Sequence, residues 1–115
     1  MPLVHVQTTV PVAEPQREEL LAAVSRLAAK AIGKPESYVM VGLSQGAMLM
    51  AGKAGPAAFC DVRSIGGLGP EVCRALSAQL CALLKAKLGV GPERVYLNFT
   101  EVEADRWGWN GATFG

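Results

Sequence analysis

The second residue of the chain is its first candidate for chemistry. Pro2 follows Met1 directly and precedes a predicted strand, Leu3 to Thr8. Methionine before a small residue is commonly removed after synthesis, which would leave proline as a terminal secondary amine. An α-amine has a reference pKa of about 7.7–8.0, proline is more basic, and an apolar pocket lowers the pKa of an amine. A neutral amine of this kind can serve as a general base, whereas the alternative is a proline that merely precedes a strand.

Three further segments place polar or flexible residues at the ends of predicted elements. Lys34 follows a helix, where a cation complements the helix dipole. Ser64-Ile65-Gly66-Gly67 combines a strand end with a glycine-rich turn. Tyr96 and Asn98 alternate with apolar residues, so their side chains share one face of a strand. Residue type alone gives each of these segments a structural explanation as well as a binding one.

Two amphipathic helices are predicted, and each begins at a proline and stops at a glycine. The first runs from about Pro15 to Ile32 and the second from about Pro70 to Leu88. Proline suits a first helical turn, and glycine suits the residue after the last turn. Apolar residues at helical spacing form one face of each helix: Leu20, Val24, Leu27 and Ile32 in the first, and Leu76, Leu80, Leu83 and Leu88 in the second.

The two helices align with each other at a constant offset, and GKPESYVMV after the first matches GVGPERVYL after the second. Each helix lies between two predicted strands: Leu3 to Thr8, Tyr38 to Leu43, Ala58 to Ile65, and Val95 to Val102. The chain is therefore predicted to be a duplicated β-α-β unit in a single domain over residues 1–115. The fold class is α+β, a two-layer α/β sandwich with a four-stranded mixed sheet and both helices on one face.

The face of the sheet opposite the helices is also predicted to carry apolar residues that must be buried. Tyr38 to Val41 and Leu3-Val4 read as apolar on both faces, without clean alternation. An apolar sheet face of that size does not stay exposed to water. We therefore expect an obligate oligomer, in which a closed ring of sheets would also pair the sheet edges.

Composition argues against several classes of protein. The chain has 11 Lys+Arg against 10 Asp+Glu, so it lacks the excess positive charge of a nucleic-acid binder. No apolar stretch approaches the roughly 18 residues that a membrane span needs, and no secretory signal is recognisable. The three cysteines form no C-x-x-C pair and have no histidine nearby, so we expect neither a disulfide framework nor a metal site. We expect a cytoplasmic protein, with any extracellular release following a route independent of a signal peptide.

Four segments in order resemble one family: MPLVHVQTTVP, GKPESYVMV, VRSIGGLGPE and RVYLNF…WGWNGATFG. They are similar to the macrophage migration inhibitory factor and D-dopachrome tautomerase family of the tautomerase superfamily, and the resemblance extends from Pro2 to Gly115. It implies a homotrimer whose sheets form a barrel. It also implies a keto–enol tautomerase that acts on phenylpyruvate-like α-keto acids, and on dopachrome-like compounds, without a cofactor.

The resemblance also gives the candidate residues roles. Pro2, once Met1 is removed, is the catalytic base. Lys34 receives the substrate carboxylate, and Ser64 and Ile65 belong to the substrate-binding loop, in which the backbone N–H of Ile65 holds the carboxylate or enol oxygen. The other substrate-binding residues line the pocket: Tyr96 and Asn98 from the adjacent subunit, with Tyr38, Trp109 and Phe114 as an aromatic wall.

Some positions depart from the family pattern. Ala57 stands where the family's C-x-x-C has its first cysteine, so no thiol–disulfide activity is expected through Cys60. Trp107 stands where the animal cytokine has a smaller aliphatic residue, and Val12 stands where it has a basic residue used in receptor contact. The alternative function is a cytokine-like protein ligand or adaptor, with a vestigial pocket, that engages a cell-surface receptor.

Overall fold

The computed structural model describes residues 1–115 and contains one four-stranded sheet. Its strands are Leu3–Thr8 (β1), Met40–Gln45 (β2), Ala58–Ser64 (β3) and Val95–Glu101 (β4), in the spatial order β2-β1-β3-β4. β1 runs parallel to β2 and β3 runs parallel to β4, while β1 and β3 are antiparallel neighbours at the centre. The predicted mixed sheet and the duplicated β-α-β unit are confirmed.

Two helices of equal length connect the parallel strand pairs: α1 (Glu14–Ile32) and α2 (Pro70–Leu88). Each carries proline at the start, where the missing N–H would have no helical partner. Each also ends at a glycine in the left-handed region, Gly33 with φ 77° and Gly89 with φ 69°. Those glycines donate their N–H groups back to the last helical turn, as a left-handed cap requires. Neither helix is long and apolar enough to cross a membrane.

The buried row of each helix follows a strict spacing of four residues. It consists of Leu20, Val24, Ala28 and Ile32 in α1, and of Leu76, Leu80, Leu84 and Leu88 in α2. The sequence had suggested Leu27 and Leu83 in place of Ala28 and Leu84, and both are instead half-buried at the margin of the core. Residues four apart form one continuous ridge, so a helix that packs along this ridge leaves the intervening leucines at its border.

Alternation along the strands separates a helix-facing side of the sheet from an open face. Val4, Val6 and Thr8 of β1 are buried against the helices, whereas His5 and Gln7 lie on the open face. β3 alternates in the same way, with Asp61 and Arg63 on its open face. The prediction of apolar residues on both faces holds at Leu3-Val4 and at Met40-Val41, because Leu3 and Met40 lie on the open face while Val4 and Val41 face the helices. It does not extend to the rest of the sheet. The open face is largely polar, and Asp61 and Arg63 form an ion pair of 2.9 Å on it.

Tyr38 does not begin the second strand, as predicted, because a short 3₁₀ turn covers Glu36–Tyr38. Pro35 sets up this turn: its carbonyl accepts the Tyr38 N–H at 3.0 Å, and Val39 then bonds to Glu36. The second repeat has the same device, a 3₁₀ turn over Pro92–Arg94 directly before β4. Each parallel pair thus gains its outer strand through a proline-initiated turn.

The C-terminal segment forms a small hairpin of two strands, Gly108–Trp109 (β5) and Ala112–Thr113 (β6). Its turn residues, Asn110 and Gly111, both have positive φ, at 53° and 81°. Asn-Gly is the typical sequence of such a two-residue turn. The hairpin was not predicted, although this dipeptide would have indicated it.

Candidate functional site

The N-terminus lies at the end of the sheet where β1 and β2 begin. Pro2 is fully buried, and its carbonyl accepts the N–H of Met40 at 3.0 Å, which extends the β1–β2 ladder by one step. Partial burial, and secondly the neighbouring Lys34 cation, lower the pKa of the Met1 amine below its ordinary value. An amine placed here therefore loses basicity through both lost hydration and a like charge. This is the environment that a neutral amine base needs.

Lys34 lies on the turn after α1 and extends across the glycine-rich loop that follows β3. A β-carbon added to Gly67 would stand 3.6 Å from Cε of Lys34, 3.0 Å from Cγ2 of Ile32 and 3.4 Å from the Ile32 carbonyl oxygen. Gly67 also has a φ of 78°, so glycine is needed both for its backbone conformation and for the close packing. The structure thus brings together the N-terminus, Lys34 and the loop that begins at Ile65.

Backbone and side-chain hydrogen bonds fix the path of this loop. The Ser64 carbonyl accepts the Val102 N–H at 2.9 Å, and Leu68 donates its N–H to the Glu101 carboxylate at 3.1 Å. Ile65 is half-buried between these two anchors. Ser64 itself is fully buried on the helix-facing side, and its hydroxyl has no hydrogen-bond partner.

Three predicted aromatic residues form one cluster near this end of the sheet. The rings of Tyr38 and Trp109 meet edge to face with centroids 6.3 Å apart, and those of Trp109 and Phe114 stack at 5.7 Å. The Phe114 N–H donates to the Trp107 carbonyl at 3.1 Å, which closes the hairpin segment. Tyr38 and Trp109 remain exposed, so the cluster offers an aromatic wall to the outside.

Tyr96 and Asn98 are not brought to this site within one chain. Both project from the open face of edge strand β4, and Tyr96 is 66% exposed. Register places Tyr96 beside Phe59, and Phe59 beside Gln7, at the far end of β1 from Pro2. Asn98 lies level with His5 in the middle of β1, but two strands away from it. At about 3.3 Å per residue, the two ends of β1 are separated by roughly 15 Å along the strand. Both residues could join a site with Pro2 only if another copy of the chain supplied them.

A separate groove of about 970 Å³ lies at the opposite end of the sheet. It is formed by the chain after β1 and by the long connection between β2 and β3, with Val10, Met48, Leu49 and Pro56 among its lining residues. Arg94 holds that connection in place by donating to the carbonyls of Pro56, Lys53 and Met50, at 2.6, 2.9 and 3.4 Å. None of the predicted site residues lines this groove.

Some features of the molecule were not found from the sequence. Arg94 anchors the β2–β3 connection, but in the sequence it only precedes a predicted strand. The Ser64 hydroxyl is buried without a hydrogen-bond partner, and the sequence of a glycine-rich loop does not show that this side chain is buried. No group of three or more His, Cys, Asp or Glu side chains is close enough together to hold a metal ion.

Comparisons with known proteins agree with this fold. The family model for macrophage migration inhibitory factor (MIF) matches residues 1–115. Macrophage migration inhibitory factor of Rattus norvegicus is 38% identical over 115 residues, covering 99% of each chain. A homolog of that factor in Brugia malayi is 37% identical over 116 residues, covering 100% of each chain.

Solved structures are similar over nearly the whole chain. The macrophage migration inhibitory factor-like protein of Entamoeba histolytica superimposes with a TM-score of 0.94 at 31% identity, covering 98% of both chains. The homologue from Prochlorococcus marinus gives a TM-score of 0.93 at 36% identity, covering 98% of this chain and 99% of the other. The chain therefore belongs to the macrophage migration inhibitory factor family.

Proposed function

We propose that this protein is a cofactor-independent keto–enol tautomerase of phenylpyruvate-like α-keto acids, and of dopachrome-like compounds, with Pro2 as its general base. Family membership supports a tautomerase-like or cytokine-like role in general. The observation that carries the catalytic proposal is the meeting of the N-terminus, Lys34 and the Ile65–Gly67 loop at one end of the sheet. A base, a cation and a backbone donor are what an enolisation needs.

The reaction begins with proton transfer to the base. After removal of Met1, the lone pair of the Pro2 amine takes the proton from the carbon next to the substrate carbonyl. The electrons of that C–H bond form the carbon–carbon double bond, and the carbonyl oxygen becomes an enolate. The proline cation then returns the proton to that oxygen, which gives the enol and restores the free amine.

Charge on the substrate is balanced by fixed groups. Lys34 pairs with the carboxylate, and the Ile65 N–H donates to a substrate oxygen that gains negative charge. Donors fixed in advance stabilise such charge more effectively than water, because they need no reorganisation. The aromatic cluster of Tyr38, Trp109 and Phe114 provides the wall against which the phenyl group packs.

A homotrimer completes this proposal. Tyr96 and Asn98, which lie two strands away from Pro2 in their own chain, would enter the site of the adjacent copy and donate to the substrate. Two observations support an interface: both outer strands of the sheet have an unpaired edge, and Met40 and Tyr96 on those strands are exposed. Open edges of this kind favour pairing with another copy.

The test combines a mass measurement with an activity assay. Mass spectrometry of the purified protein should show a chain that begins at Pro2, and ultraviolet absorbance should show enol formation from phenylpyruvate or hydroxyphenylpyruvate. Pro2→Gly should remove most of the activity while leaving the circular dichroism spectrum unchanged, because a flexible primary amine replaces a fixed secondary one.

A matched control keeps every native side chain. One alanine inserted between Met1 and Pro2 gives, after processing, an Ala-Pro start in which the proline nitrogen is an amide without basicity. This chain should be folded and inactive. Equal activity in the native and extended chains would refute Pro2 as the base.

A second candidate function is a cytokine-like protein ligand that engages a cell-surface receptor. It is favoured by the relatives, which carry the name macrophage migration inhibitory factor. Binding of the inactive Ala-Pro chain to cells, with the same affinity as the native chain, would support a receptor role that is separate from catalysis.

A further inference from the structure

Two hydroxyl side chains are fully buried on the helix-facing side of the sheet, and they differ in one respect. Thr8, at one end, donates its Oγ1 hydrogen to the Ala57 carbonyl at 2.9 Å. Ser64, at the other end, is the one residue with a buried side-chain oxygen or nitrogen that has no partner. Buried hydroxyls in native proteins are almost always paired, so the Ser64 hydroxyl calls for an explanation.

The residue opposite Ser64 is Pro2. In the antiparallel β1–β3 ladder Leu3 pairs with Arg63, and continuing the register by one residue places Pro2 against Ser64. Both residues are fully buried, as are Val4 and Val62 one step further along the same side, so both side chains face the helices. Directly opposed residues of an antiparallel pair have β-carbons about 4.5–5.5 Å apart.

The chemistry of the proline nitrogen explains why the hydroxyl is unpaired. With Met1 attached, the nitrogen of Pro2 is a tertiary amide that has no hydrogen to donate and no available lone pair. With Met1 removed, the same nitrogen becomes a secondary amine with one hydrogen and one lone pair. The Ser64 hydroxyl thus lacks a partner in the unprocessed chain, whereas removal of Met1 would give the opposite residue a nitrogen that can form a hydrogen bond.

We propose that Ser64 is a positioning residue for the N-terminal amine: once Met1 is removed, the Pro2 N–H donates to Ser64 Oγ, which turns the lone pair of Pro2 away from the core. This inference rests on the proposed removal of Met1 and on Pro2 as the base. The hydroxyl holds the ring nitrogen in one orientation, and the lone pair then faces the side on which Lys34 and the Ile65–Gly67 loop lie.

The hydrogen bond from Pro2 to Ser64 should raise the pKa of the Pro2 amine. Hydrogen bonds from charged donors are roughly twice as strong as those from neutral donors, so Ser64 stabilises the protonated amine more than the neutral amine. Replacing Ser64 by alanine removes that preference. The Pro2 pKa should then fall by about half a pH unit to one pH unit, since a hydrogen bond to the charged form of a group favours that form.

The experiment compares four proteins, which combine two N-termini (Pro2 or Ala-Pro) with two residues at position 64 (serine or alanine). Native protein, treated with methionine aminopeptidase so that all chains begin at Pro2, is compared with the chain that carries the inserted alanine. Each is prepared with Ser64 and with Ser64→Ala. Proline labelled with ¹³C and ¹⁵N reports the Pro2 titration by NMR, and the Ala-Pro chain identifies the Pro2 signal because its nitrogen cannot titrate.

Thermal unfolding gives a second readout on the same four proteins. In chains that begin at Pro2, Ser64→Ala should lower Tm by roughly 4 °C, the shift expected from one lost hydrogen bond in a domain of this size. In Ala-Pro chains the same change should leave Tm unchanged or raise it, because it removes a buried hydroxyl without a partner. Thr8→Val is the control: its hydroxyl is paired within the chain, so it should lower Tm equally in both N-terminal states.

The outcomes decide the proposal without any enzyme assay. A lower Pro2 pKa in Ser64→Ala, together with a Tm loss confined to chains that begin at Pro2, supports it even if phenylpyruvate is not a substrate. An unchanged or higher Pro2 pKa, or the same Tm change in both N-terminal states, would overturn it. If the tautomerase is active, Ser64→Ala should also shift the acidic limb of the kcat/KM pH profile downward by the amount of the NMR shift.

Discussion

The imidazole of His5 lies directly over Gly42 on the open face of the sheet. A β-carbon added to Gly42 would stand 2.8 Å from Cδ2 of His5, and the two residues are register partners in the β1–β2 ladder. Gly42 has no positive φ, so its missing side chain serves the close approach of the ring and not an unusual backbone conformation.

Gly42→Ala should therefore displace the His5 ring and lower the free energy of unfolding by about 1–2 kcal/mol. Alanine loses less backbone entropy on folding than glycine, but the steric crowding against His5 outweighs that gain. Denaturant unfolding measures this change. Gly46→Ala is the matched control, since its β-carbon would meet only Nε2 of Gln7 at an ordinary 3.8 Å. Equal stability of the two variants would show that the His5 ring can move aside without destabilising the fold. Adding His5→Ala to Gly42→Ala should recover the stability that Gly42→Ala loses.

Lys34→Ala should lower kcat/KM for α-keto acid substrates by about ten- to a hundred-fold. A charge-assisted hydrogen bond contributes roughly 1.5–3 kcal/mol, and about 1.4 kcal/mol is a factor of ten. Methyl-ester analogues should lose much less, since they carry no charge for Lys34 to balance. Steady-state kinetics on the acid and ester pair makes the comparison.

Lys30→Ala is the control for this prediction, because Lys30 lies in the last turn of α1 and complements the same helix dipole. It should leave kcat/KM for the acid unchanged. If Lys34→Ala reduced acid and ester equally, or lowered Tm in step with activity, Lys34 would have only a structural role.

Mixed oligomers test whether each site is shared between two chains. Lys34→Ala and Asn98→Ala should each have strongly reduced activity alone, because each lacks one half of the site. Co-expressed in equal amounts, they should regain about a quarter of the native activity if one subunit supplies Lys34 and its cyclic neighbour supplies Asn98. Activity that stays at the level of the separate variants would contradict a shared site, and light scattering should give a trimer mass throughout.

The thiol of Cys60 should be protected in the folded protein. Burial, and secondly the nearby Cys81 thiol, raise the pKa of Cys60 to about 12. Since the thiolate is the reactive form, alkylation at pH 8 should label Cys60 only after unfolding. Peptide mass spectrometry with and without denaturant gives the answer, and fast labelling of Cys60 in native protein would contradict its burial.

The same pKa predicts how stability changes in alkali. The folded chain holds the Cys60 proton more tightly than the unfolded chain, whose thiol has the ordinary pKa of 9.0. The resulting stabilisation is fully present below about pH 9 and is lost as the pH rises towards 12. The stability of Cys60→Val should decrease less steeply over this pH range than that of the native protein. Denaturant midpoints measured at several pH values make the comparison.

The helices and the duplicated β-α-β plan could be predicted because local signals and the repeat agreed. Pro15 and Pro70 mark the helix starts, Gly33 and Gly89 mark the ends, and both helices are 19 residues long. The start of β2 could not be placed correctly, because Tyr38 and Val39 look like strand residues while Pro35 directs them into a turn. Apolar residues on both faces could be predicted at Leu3-Val4 and Met40-Val41, but the polar remainder of the open face, with Asp61 and Arg63 on it, follows only from the pairing of β3 with β1.

The candidate site was predictable as a list of residues but not as a geometry. Family resemblance supplied Pro2, Lys34 and Ile65, yet nothing in their spacing shows that Lys34 lies against Gly67. That contact depends on how α1 ends relative to the loop after β3, which is a result of tertiary packing. Burial of Ser64, and with it the unpaired hydroxyl, is likewise a property of the folded chain alone.

The antiparallel β1–β3 ladder joins two halves that each contain a complete β-α-β unit. All backbone pairing between the halves of the main sheet runs through this central seam, and only the connection after β2 links them covalently. A cut in that connection would therefore leave two fragments with complementary edges and matching apolar helix faces. The architecture is that of a split protein, in which two separately expressed halves could find each other and reassemble through one shared ladder.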